Sequence, residues 1–216
     1  MKTIRKDEVT IPAGEVTLLG NLYLPPKAKG MVLFAHGSGS GRFSPRNQFV
    51  AEALAAAGIA SLLSDLLKGW EAEDREKVFD IDLLSDRLLN CLIWVINEKK
   101  LKNVPVGLFG ASTGAAAALS AAAKRPQEVK AVVSRGGRPD LVPDSLSLVK
   151  APTLLIVGGH DRQVIELNRT ALSRLHCTKE LVIVPDAGHL FEEPGTLEKV
   201  AALAIEWFGR YFVPMD

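Results

Sequence analysis

Ser112 lies at the centre of the segment GASTG (residues 110–114), in which glycines occupy the first and fifth positions. An apolar run, VPVGLFG (residues 104–110), precedes the motif, and an alanine-rich run follows it. This order predicts a strand, a tight turn and a helix, the arrangement that exposes a nucleophilic serine at a strained turn. Glycine and serine are both common in this chain, so the motif alone is weak evidence for a nucleophile. Whether Ser112 is a nucleophile depends on the residues that could activate it.

A serine hydroxyl is a poor nucleophile at neutral pH and needs a general base. His189 follows the last predicted strand, and Asp161 follows the strand before it. From these positions His189 can act as the base and Asp161 can orient and stabilise the imidazole. The order Ser112, Asp161, His189 is the one expected when a Gly-x-Ser-x-Gly turn carries a catalytic triad.

The sequence leaves alternatives open for both partners of the serine. Asp161 can instead be the N-cap of the helix predicted to begin near Val164, because aspartate is a favoured N-cap residue. Asp186 competes for the role of acid, although it lies only three residues before His189. His189 itself can be a surface or helix-capping histidine.

The segment HGSGSGR (residues 36–42) follows the first long apolar strand and is rich in glycine. It predicts a flexible loop whose Ser38 N–H would pair with the Thr113 N–H as an oxyanion hole above the serine. A phosphate-binding role is disfavoured, because the segment has neither the Gly-Lys-Ser/Thr ending nor the Gly-x-Gly-x-x-Gly spacing of nucleotide sites. We expect His36 to support the loop rather than to take part in proton transfer.

These residues need a sheet that brings the ends of separate strands together. Near-continuous apolar runs indicate parallel strands covered on both faces, and they fall at residues 30–37, 59–65, 104–110, 129–137, 152–159 and 180–186. Helical patterns between and after them cover residues 45–58, 79–100, 113–126, 164–175 and 195–212. The alternation predicts an α/β fold with a doubly wound, mainly parallel sheet and helices on both faces.

The remaining segments complete this prediction. Residues 8–24 read as two strands that turn at Ala13-Gly14 and form an antiparallel hairpin at the sheet edge. About 18 residues separate the strand that ends near Ser134 from the strand that starts at Thr153, which leaves no room for a lid domain. We therefore expect residues 1–216 to form one domain with an open site.

Candidate substrate contacts lie in the loops after the strands. An acyl or alcohol pocket could be lined by four residues, and two arginines could hold a substrate carboxylate bidentately. The pocket residues are Arg42, Phe43, Leu67 and Trp70, and the two arginines are Arg135 and Arg138. The acidic run EAEDREK (residues 71–77) reads as a solvated loop or helix face.

Composition narrows the function classes. The chain has 26 basic and 25 acidic residues and a formal net charge of +1, so it shows no electrostatic footprint for nucleic acid or an anionic membrane. Two isolated cysteines fit neither a disulfide framework nor a zinc site, and we expect no metal and no cofactor. With no signal-peptide pattern at the start, a cytoplasmic protein acting on a small molecule is the simplest expectation. Monomer and homodimer both remain open.

The whole chain resembles the α/β-hydrolase superfamily and, within it, the lidless dienelactone-hydrolase-like group. The resemblance is carried by LFAHGSGSGRFSPRN, FGASTGAAAAL, LLIVGGHD and DAGHLFEEPG. It implies a nucleophile at Ser112, an acid at Asp161, a base at His189, and oxyanion amides at Ser38 and Thr113. Segments similar to SRGGRPD (residues 134–140) also occur in hydrolase domains found beside phosphoribosyltransferase domains.

One departure from the group directs the functional hypothesis. Dienelactone hydrolases proper carry a cysteine at the elbow, whereas this chain has Ser112. We therefore expect serine carboxylesterase chemistry on small, accessible esters rather than turnover of dienelactones. A thioesterase or acyltransferase that uses the same acyl-enzyme, and a non-catalytic binding protein with this fold, are the alternatives.

Overall fold

The structure, a computed structural model, describes residues 4–101 and 103–212. Over these residues eight strands form one sheet: β1 Arg5–Ala13, β2 Val16–Leu24, β3 Met31–Ala35, β4 Ala60–Ser64, β5 Val106–Ala111, β6 Val129–Arg135, β7 Thr153–Gly158 and β8 Lys179–Val184. The α-helices are α1 Pro45–Ala56, α2 Gly69–Ala72, α3 Arg75–Val78, α4 Ile81–Asn97, α5 Thr113–Lys124, α6 Arg162–Arg174 and α7 Thr196–Tyr211. Three short 3₁₀ helices cover Lys99–Leu101, Pro139–Leu141 and Leu146–Leu148.

The sheet has the strand order β1-β2-β4-β3-β5-β6-β7-β8. Strands β3 to β8 are paired in parallel, whereas β2 is antiparallel to both β1 and β4. The hairpin turns at Gly14, whose φ of +65° is readily adopted by glycine. The predicted mainly parallel sheet with an antiparallel edge hairpin is confirmed. Because parallel strands end at the same edge, the loops after β3, β5, β7 and β8 meet there.

Apolar side chains cover both faces of the sheet. On one face the strands pack against α4 and α5, where Leu88 and Ala118 are fully buried. On the other face they pack against α1 and α7, where Leu54 and Phe208 are fully buried. This burial explains why the parallel strands read as continuous apolar runs. Cys91 lies in the first of these cores, and burial raises the pKa of its thiol to about 11, in agreement with a small buried hydrophobe.

The helices agree with the predicted pattern except between β4 and α4. That segment, expected to be a loop or a solvated helix face, folds into two short helices, α2 and α3. Glu71 of α2 is buried against Arg87 of α4, to which its carboxylate is paired on two oxygens. The acidic run therefore contains one buried residue, Glu71, which attaches α2 to α4, as well as exposed charged residues. Within the described part of the chain, no helix has both the length and the apolar character to cross a membrane.

Candidate active site

Ser112 occupies the turn between β5 and α5. Its backbone adopts φ 52° and ψ −122°, a conformation that residues other than glycine rarely adopt. Its N–H donates to the Arg135 carbonyl, and its own carbonyl accepts from the N–H groups of Ala115 and Arg138, each at 3.1 Å. These hydrogen bonds hold the strained turn and leave the serine partly exposed at the carboxyl end of β5. The predicted strand–turn–helix elbow is confirmed.

The two glycines of the motif allow the elbow to pack closely against its neighbours. A Cβ on Gly110 would lie 2.7 Å from the Ala115 amide nitrogen, and a Cβ on Gly114 would lie 2.5 Å from the His36 carbonyl oxygen. Both distances are shorter than van der Waals contact, and both atoms belong to backbone that cannot move away easily. Glycine at these positions therefore lets α5 start directly against β5 and the end of β3.

His189 and Asp161 form a short hydrogen bond in the loops after β8 and β7. A carboxylate only accepts, so His189 Nδ1–H donates to Asp161 Oδ2 at 2.6 Å. Asp161 stands at the N-cap position of α6, but its side chain makes no capping hydrogen bond to any described residue. The Asp161 side chain is 16% exposed and that of His189 is 39% exposed. With Nδ1 engaged, Nε2 is the ring nitrogen that remains for proton transfer.

Backbone contacts between neighbouring loops place this pair. The N–H of His160 donates to the Ala187 carbonyl at 3.0 Å, which joins the loop after β7 to the loop after β8. Gly136, at the end of β6, has a φ of +52°, and a Cβ there would lie 3.5 Å from His189 Nδ1. The Gly188 N–H donates to Glu193 Oε2 at 3.0 Å, and this bond lowers the pKa of the Glu193 carboxyl.

The loop after β3 approaches the serine from the other side. A Cβ on Gly37 would lie 3.1 Å from the Ser112 Cβ, so a glycine here permits the approach. The next residue, Ser38, donates its N–H to Thr113 Oγ1 at 3.0 Å. Thr113 is the first residue of α5, so its own N–H has no partner within the helix. The structure thus places both predicted oxyanion residues beside Ser112, with the Ser38 amide bonded to the Thr113 hydroxyl.

His36 and Arg42 anchor this loop to the sheet. His36 is 6% exposed, and its Nε2 accepts from the Leu66 N–H at 3.1 Å, which confirms the expected supporting role. Burial lowers the pKa of His36, so the ring stays neutral there. The Arg42 guanidinium is buried and bonds Glu8 at 2.7 Å and Asp65 at 3.0 Å. Its charge is balanced by carboxylates of the protein.

The other predicted substrate residues lie in different environments. Leu67 is 9% exposed and lies behind the oxyanion loop, whereas Phe43 and Trp70 are 63% and 62% exposed. Arg138 forms a bidentate ion pair with Asp140, with nitrogen–oxygen distances of 2.9 and 2.8 Å. Their contacts with a substrate remain predictions.

Arg135 differs from these residues because it is buried and, among residues 4–101 and 103–212, forms no ion pair with a carboxylate. It is 7% exposed, and within the described residues its Nε and Nη1 have no hydrogen-bond partner. Its Nη2 lies 3.5 Å from Asn47 Oδ1 in α1. Burial, with a smaller effect of the nearby Arg46, lowers the pKa of Arg135 to about 10. The predicted contact with a substrate carboxylate is likewise untested.

A groove that sequence reasoning missed runs beside the oxyanion loop. It has a volume of about 430 Å³ and lies between that loop and the two short helices α2 and α3. Its lining residues are Ser38, Gly39, Ala72, Glu73, Arg75, Val78 and Phe79. One residue type in the sequence is a signal for the start of α3, because aspartate is a favoured N-cap residue. In the structure Asp74 is that N-cap, and its carboxylate accepts from the Glu76 N–H at 2.9 Å.

Comparisons with known proteins agree with this geometry. Residues 19–212 match the dienelactone hydrolase family. A crystal structure of dienelactone hydrolase from Anabaena variabilis is 55% identical and has a TM-score of 0.94, with 96% of this chain and 98% of that chain covered. Est1E from Butyrivibrio proteoclasticus, solved with ferulic acid, is 17% identical with a TM-score of 0.82 over 94% of this chain and 98% of that one, and it shows the fold alone.

A curated relative has a different name. A putative phosphoribosyl transferase of Mycobacterium tuberculosis is 55% identical over 205 residues, which cover 95% of this chain and 46% of that protein. The chain therefore spans about half the length of the curated relatives it matches. The family match covers most of the chain, and the fold and the elbow agree with it. The chain belongs to the dienelactone hydrolase family and has the α/β-hydrolase fold.

Proposed function

We propose that this protein is a serine hydrolase that cleaves small carboxylic esters through an acyl-enzyme on Ser112. The observation that carries the proposal is the 2.6 Å hydrogen bond between His189 Nδ1 and Asp161 Oδ2, at the same sheet edge as the strained serine. An aspartate that holds a histidine in one tautomer is the arrangement that lets the other ring nitrogen act as a base.

The first half of the reaction forms the acyl-enzyme. Ser112 Oγ attacks the ester carbonyl carbon while its proton passes to His189 Nε2, and the carbonyl π electrons become a lone pair on the oxygen. Donors beside Ser112, including the Thr113 N–H at the start of α5, stabilise that oxyanion. When the intermediate collapses, the bond to the alcohol breaks, and the alcohol leaves with the proton held by His189.

The second half returns the enzyme to its starting state. A water molecule gives a proton to His189 Nε2 and attacks the acyl carbon, which forms a second oxyanion. Collapse breaks the bond between the acyl carbon and Ser112 Oγ, and Ser112 takes the proton back as the carboxylic acid leaves. Asp161 stabilises the imidazolium in both halves without taking the proton itself.

The groove beside the oxyanion loop gives the substrate a place to lie. It is bounded on one side by Ser38 and Gly39 and on the other by Val78 and Phe79. It is a shallow depression that is open to solvent, so it leaves room for a small ester and does not by itself limit the length of the acyl chain. We assign it to the acyl or alcohol portion of the substrate.

The name of the curated relatives does not change this proposal. The match covers 46% of the length of the putative phosphoribosyl transferases, so their name need not describe the half that this chain resembles. In this chain the matched region has a hydrolase fold with a serine elbow and a histidine–aspartate pair.

Turnover of p-nitrophenyl esters from acetate to octanoate tests the proposal. Wild type is expected to cleave the short esters, and Ser112→Ala is expected to lose kcat by about 10⁴-fold or more. The control is Ser120→Ala, which removes a buried hydroxyl from the same helix two turns away and should keep wild-type turnover. Circular dichroism verifies that all three proteins are folded.

Covalent labelling gives an independent result. A fluorophosphonate should label wild type and Ser120→Ala with one equivalent and leave Ser112→Ala unlabelled, because only an activated serine reacts rapidly. Labelling of Ser112→Ala at the wild-type rate, or equal ester turnover by that variant, would show that the nucleophile lies elsewhere.

A further inference from the structure

The Ser38 amide, expected to contact substrate directly, is already hydrogen-bonded. It donates to Thr113 Oγ1 at 3.0 Å. Oxyanion donors lie about 2.7–3.1 Å from the position that the oxyanion will occupy. The 3.0 Å between the Ser38 nitrogen and Thr113 Oγ1 falls within this range, so the threonine oxygen is as far from the Ser38 nitrogen as an oxyanion would be.

The proton of the Thr113 hydroxyl must point away from the Ser38 N–H, because the hydroxyl oxygen accepts from that group. A hydroxyl group has one donor proton and two acceptor lone pairs, and the Ser38 N–H uses one of the lone pairs. Thr113 is 3% exposed, and among residues 4–101 and 103–212 its hydroxyl donates no hydrogen bond. A threonine inside a helix donates to the carbonyl four residues earlier, but for Thr113 that residue is Phe109, in β5. The hydroxyl is buried with its donor capacity unused.

Thr113 is the neighbour in the chain of the proposed nucleophile. Thr113 directly follows Ser112, and it begins α5, whose N-terminus favours an anion. Gly37 packs against the Ser112 side chain, so the loop that carries Ser38 and the start of α5 enclose the same space. An ester carbonyl bonded to Ser112 would place its oxygen beside both elements.

We propose that the Thr113 side-chain hydroxyl donates a hydrogen bond to the oxyanion, and that the Ser38 amide acts through that hydroxyl rather than on the substrate itself. The inference rests on the proposed ester hydrolysis at Ser112. No proton is transferred, because Thr113 Oγ keeps its hydrogen while the carbonyl oxygen gains charge. The Ser38 N–H polarises the hydroxyl and makes it a stronger donor.

A set of variants at this position tests the role. Thr113→Val keeps the shape and removes the hydroxyl, whereas Thr113→Ser keeps the hydroxyl. With p-nitrophenyl acetate, Thr113→Val is expected to lose kcat by about 10²-fold or more with little change in KM, because the lost bond forms only in the transition state. Thr113→Ser should retain most of the wild-type kcat. Wild-type kcat in a folded Thr113→Val would overturn the proposal.

A second measurement tests whether Thr113 acts on the atom that becomes the anion. The p-nitrophenyl ester and thionoester of the same acid differ only in that atom, and sulfur is a weak hydrogen-bond acceptor. If Thr113 stabilises that atom, Thr113→Val loses more rate on the ester than on the thionoester, and the ratio of the two rates falls. If both rates fall by the same factor, Thr113 does not act on that atom, which would overturn the proposal.

Controls keep this inference distinct from the proposed function. Thr113→Ala provides a second hydroxyl-free variant if Thr113→Val does not fold, and it is expected to lower the same ratio. Ser120→Ala should keep the wild-type ratio. If Ser112→Ala keeps wild-type turnover, the ester hydrolase proposal fails. If Ser112 is essential and both hydroxyl-free variants keep the wild-type ratio, only the role of Thr113 fails.

Discussion

The two sides of the candidate site are built differently. The loops of the proposed triad and oxyanion residues, named the catalytic loops and defined as residues 36–44, 110–114, 158–161 and 186–191, are held by backbone hydrogen bonds. At Gly110, Gly114 and Gly158 a Cβ would come within 3 Å of backbone atoms. The opposite side, the α2–α3 wall (residues 69–79), presents exposed aromatic side chains, with Trp70 62% and Phe79 49% exposed. Under the proposed function, the first side holds the reacting groups at a fixed point and the second contacts variable apolar groups of the substrate.

A charge comparison supports the same division. Arg42 in the catalytic loops is buried, and carboxylates of β1 and of the loop after β4 balance its charge. On the α2–α3 wall the Lys77 ammonium lies 3.9 Å from the centre of the exposed Trp70 ring. Only the arginine is buried, because the Glu8 and Asp65 side chains are 64% and 32% exposed, so these ion pairs are partly solvated. The exposed cation–π contact costs little to lose, about 0.5–1 kcal/mol.

Among the variants that probe this comparison, the largest effect is expected from Asp161→Asn, in the catalytic loops. The amide cannot stabilise the imidazolium and favours the wrong tautomer of His189, so kcat should fall by about 10³–10⁴-fold. Steady-state turnover of p-nitrophenyl acetate measures the effect. The matched control is Asp186→Asn, because asparagine tolerates the left-handed φ of 61° at that position. Equal losses in the two variants would contradict the assignment of the acid.

The next effect is on stability and concerns the glycines of the elbow. Gly114→Ala would place a Cβ against the carbonyl oxygens of Ala35 and His36, and we expect it to destabilise the fold by about 3 kcal/mol. Gly209→Ala in α7 meets no atom within 4 Å and should stabilise slightly, because alanine favours helix. Urea unfolding measures both changes. A Gly114→Ala protein as stable as wild type would show that the elbow can yield.

The pH dependence of stability follows from His36. Burial lowers its pKa in the folded protein, so below about pH 6.5 the unfolded chain binds a proton that the folded protein does not. Stability is therefore fully present above pH 6.5 and is lost as the pH falls below it. Thermal unfolding at pH 7 and pH 5 measures the loss. His36→Gln should show a flatter dependence, and the exposed His176→Gln should resemble wild type.

Most of the fold could be predicted from the sequence, and so could the position of Ser112, Asp161 and His189 at one edge of the sheet. Each parallel strand is an apolar run that ends in a polar loop, so the sequence itself indicates which residues reach the edge of the sheet. Asp161 remained ambiguous because capping a helix and orienting a histidine need the same loop position. Only the observed bond to His189 separates the two roles.

What could not be predicted depends on contacts between distant parts of the chain. Helices α2 and α3 have four residues each, which is too short for hydrophobic periodicity to appear. The bond between Ser38 and Thr113 joins residues 75 positions apart, and that between Arg42 and Glu8 joins residues 34 apart. No local pattern encodes such pairs. Arg42 therefore reads from sequence as a substrate contact, although the structure shows its charge engaged within the protein.

The smallest effect is expected on the α2–α3 wall. Phe79 borders the groove beside Ser38, and its ring is half exposed before any substrate binds. Phe79→Ala should raise KM for p-nitrophenyl butyrate by about fivefold, because about 1 kcal/mol of apolar contact is lost equally in the ground state and the transition state. Because the loss is equal in the two states, kcat should change little. The melting temperature should also change little, because the Phe79 side chain is half exposed.

The matched control for this prediction is Phe49→Ala, because Phe49 is 38% exposed in α1 and does not line the groove. It should leave KM unchanged. Shortening the ester from butyrate to acetate should reduce the effect of Phe79→Ala if the ring contacts the acyl chain, since less of the acetyl group can reach it. An effect independent of acyl length would place the alcohol portion against Phe79. A fall in kcat as large as that of Asp161→Asn would show that the wall belongs to the catalytic machinery, and the division between the two sides would not hold.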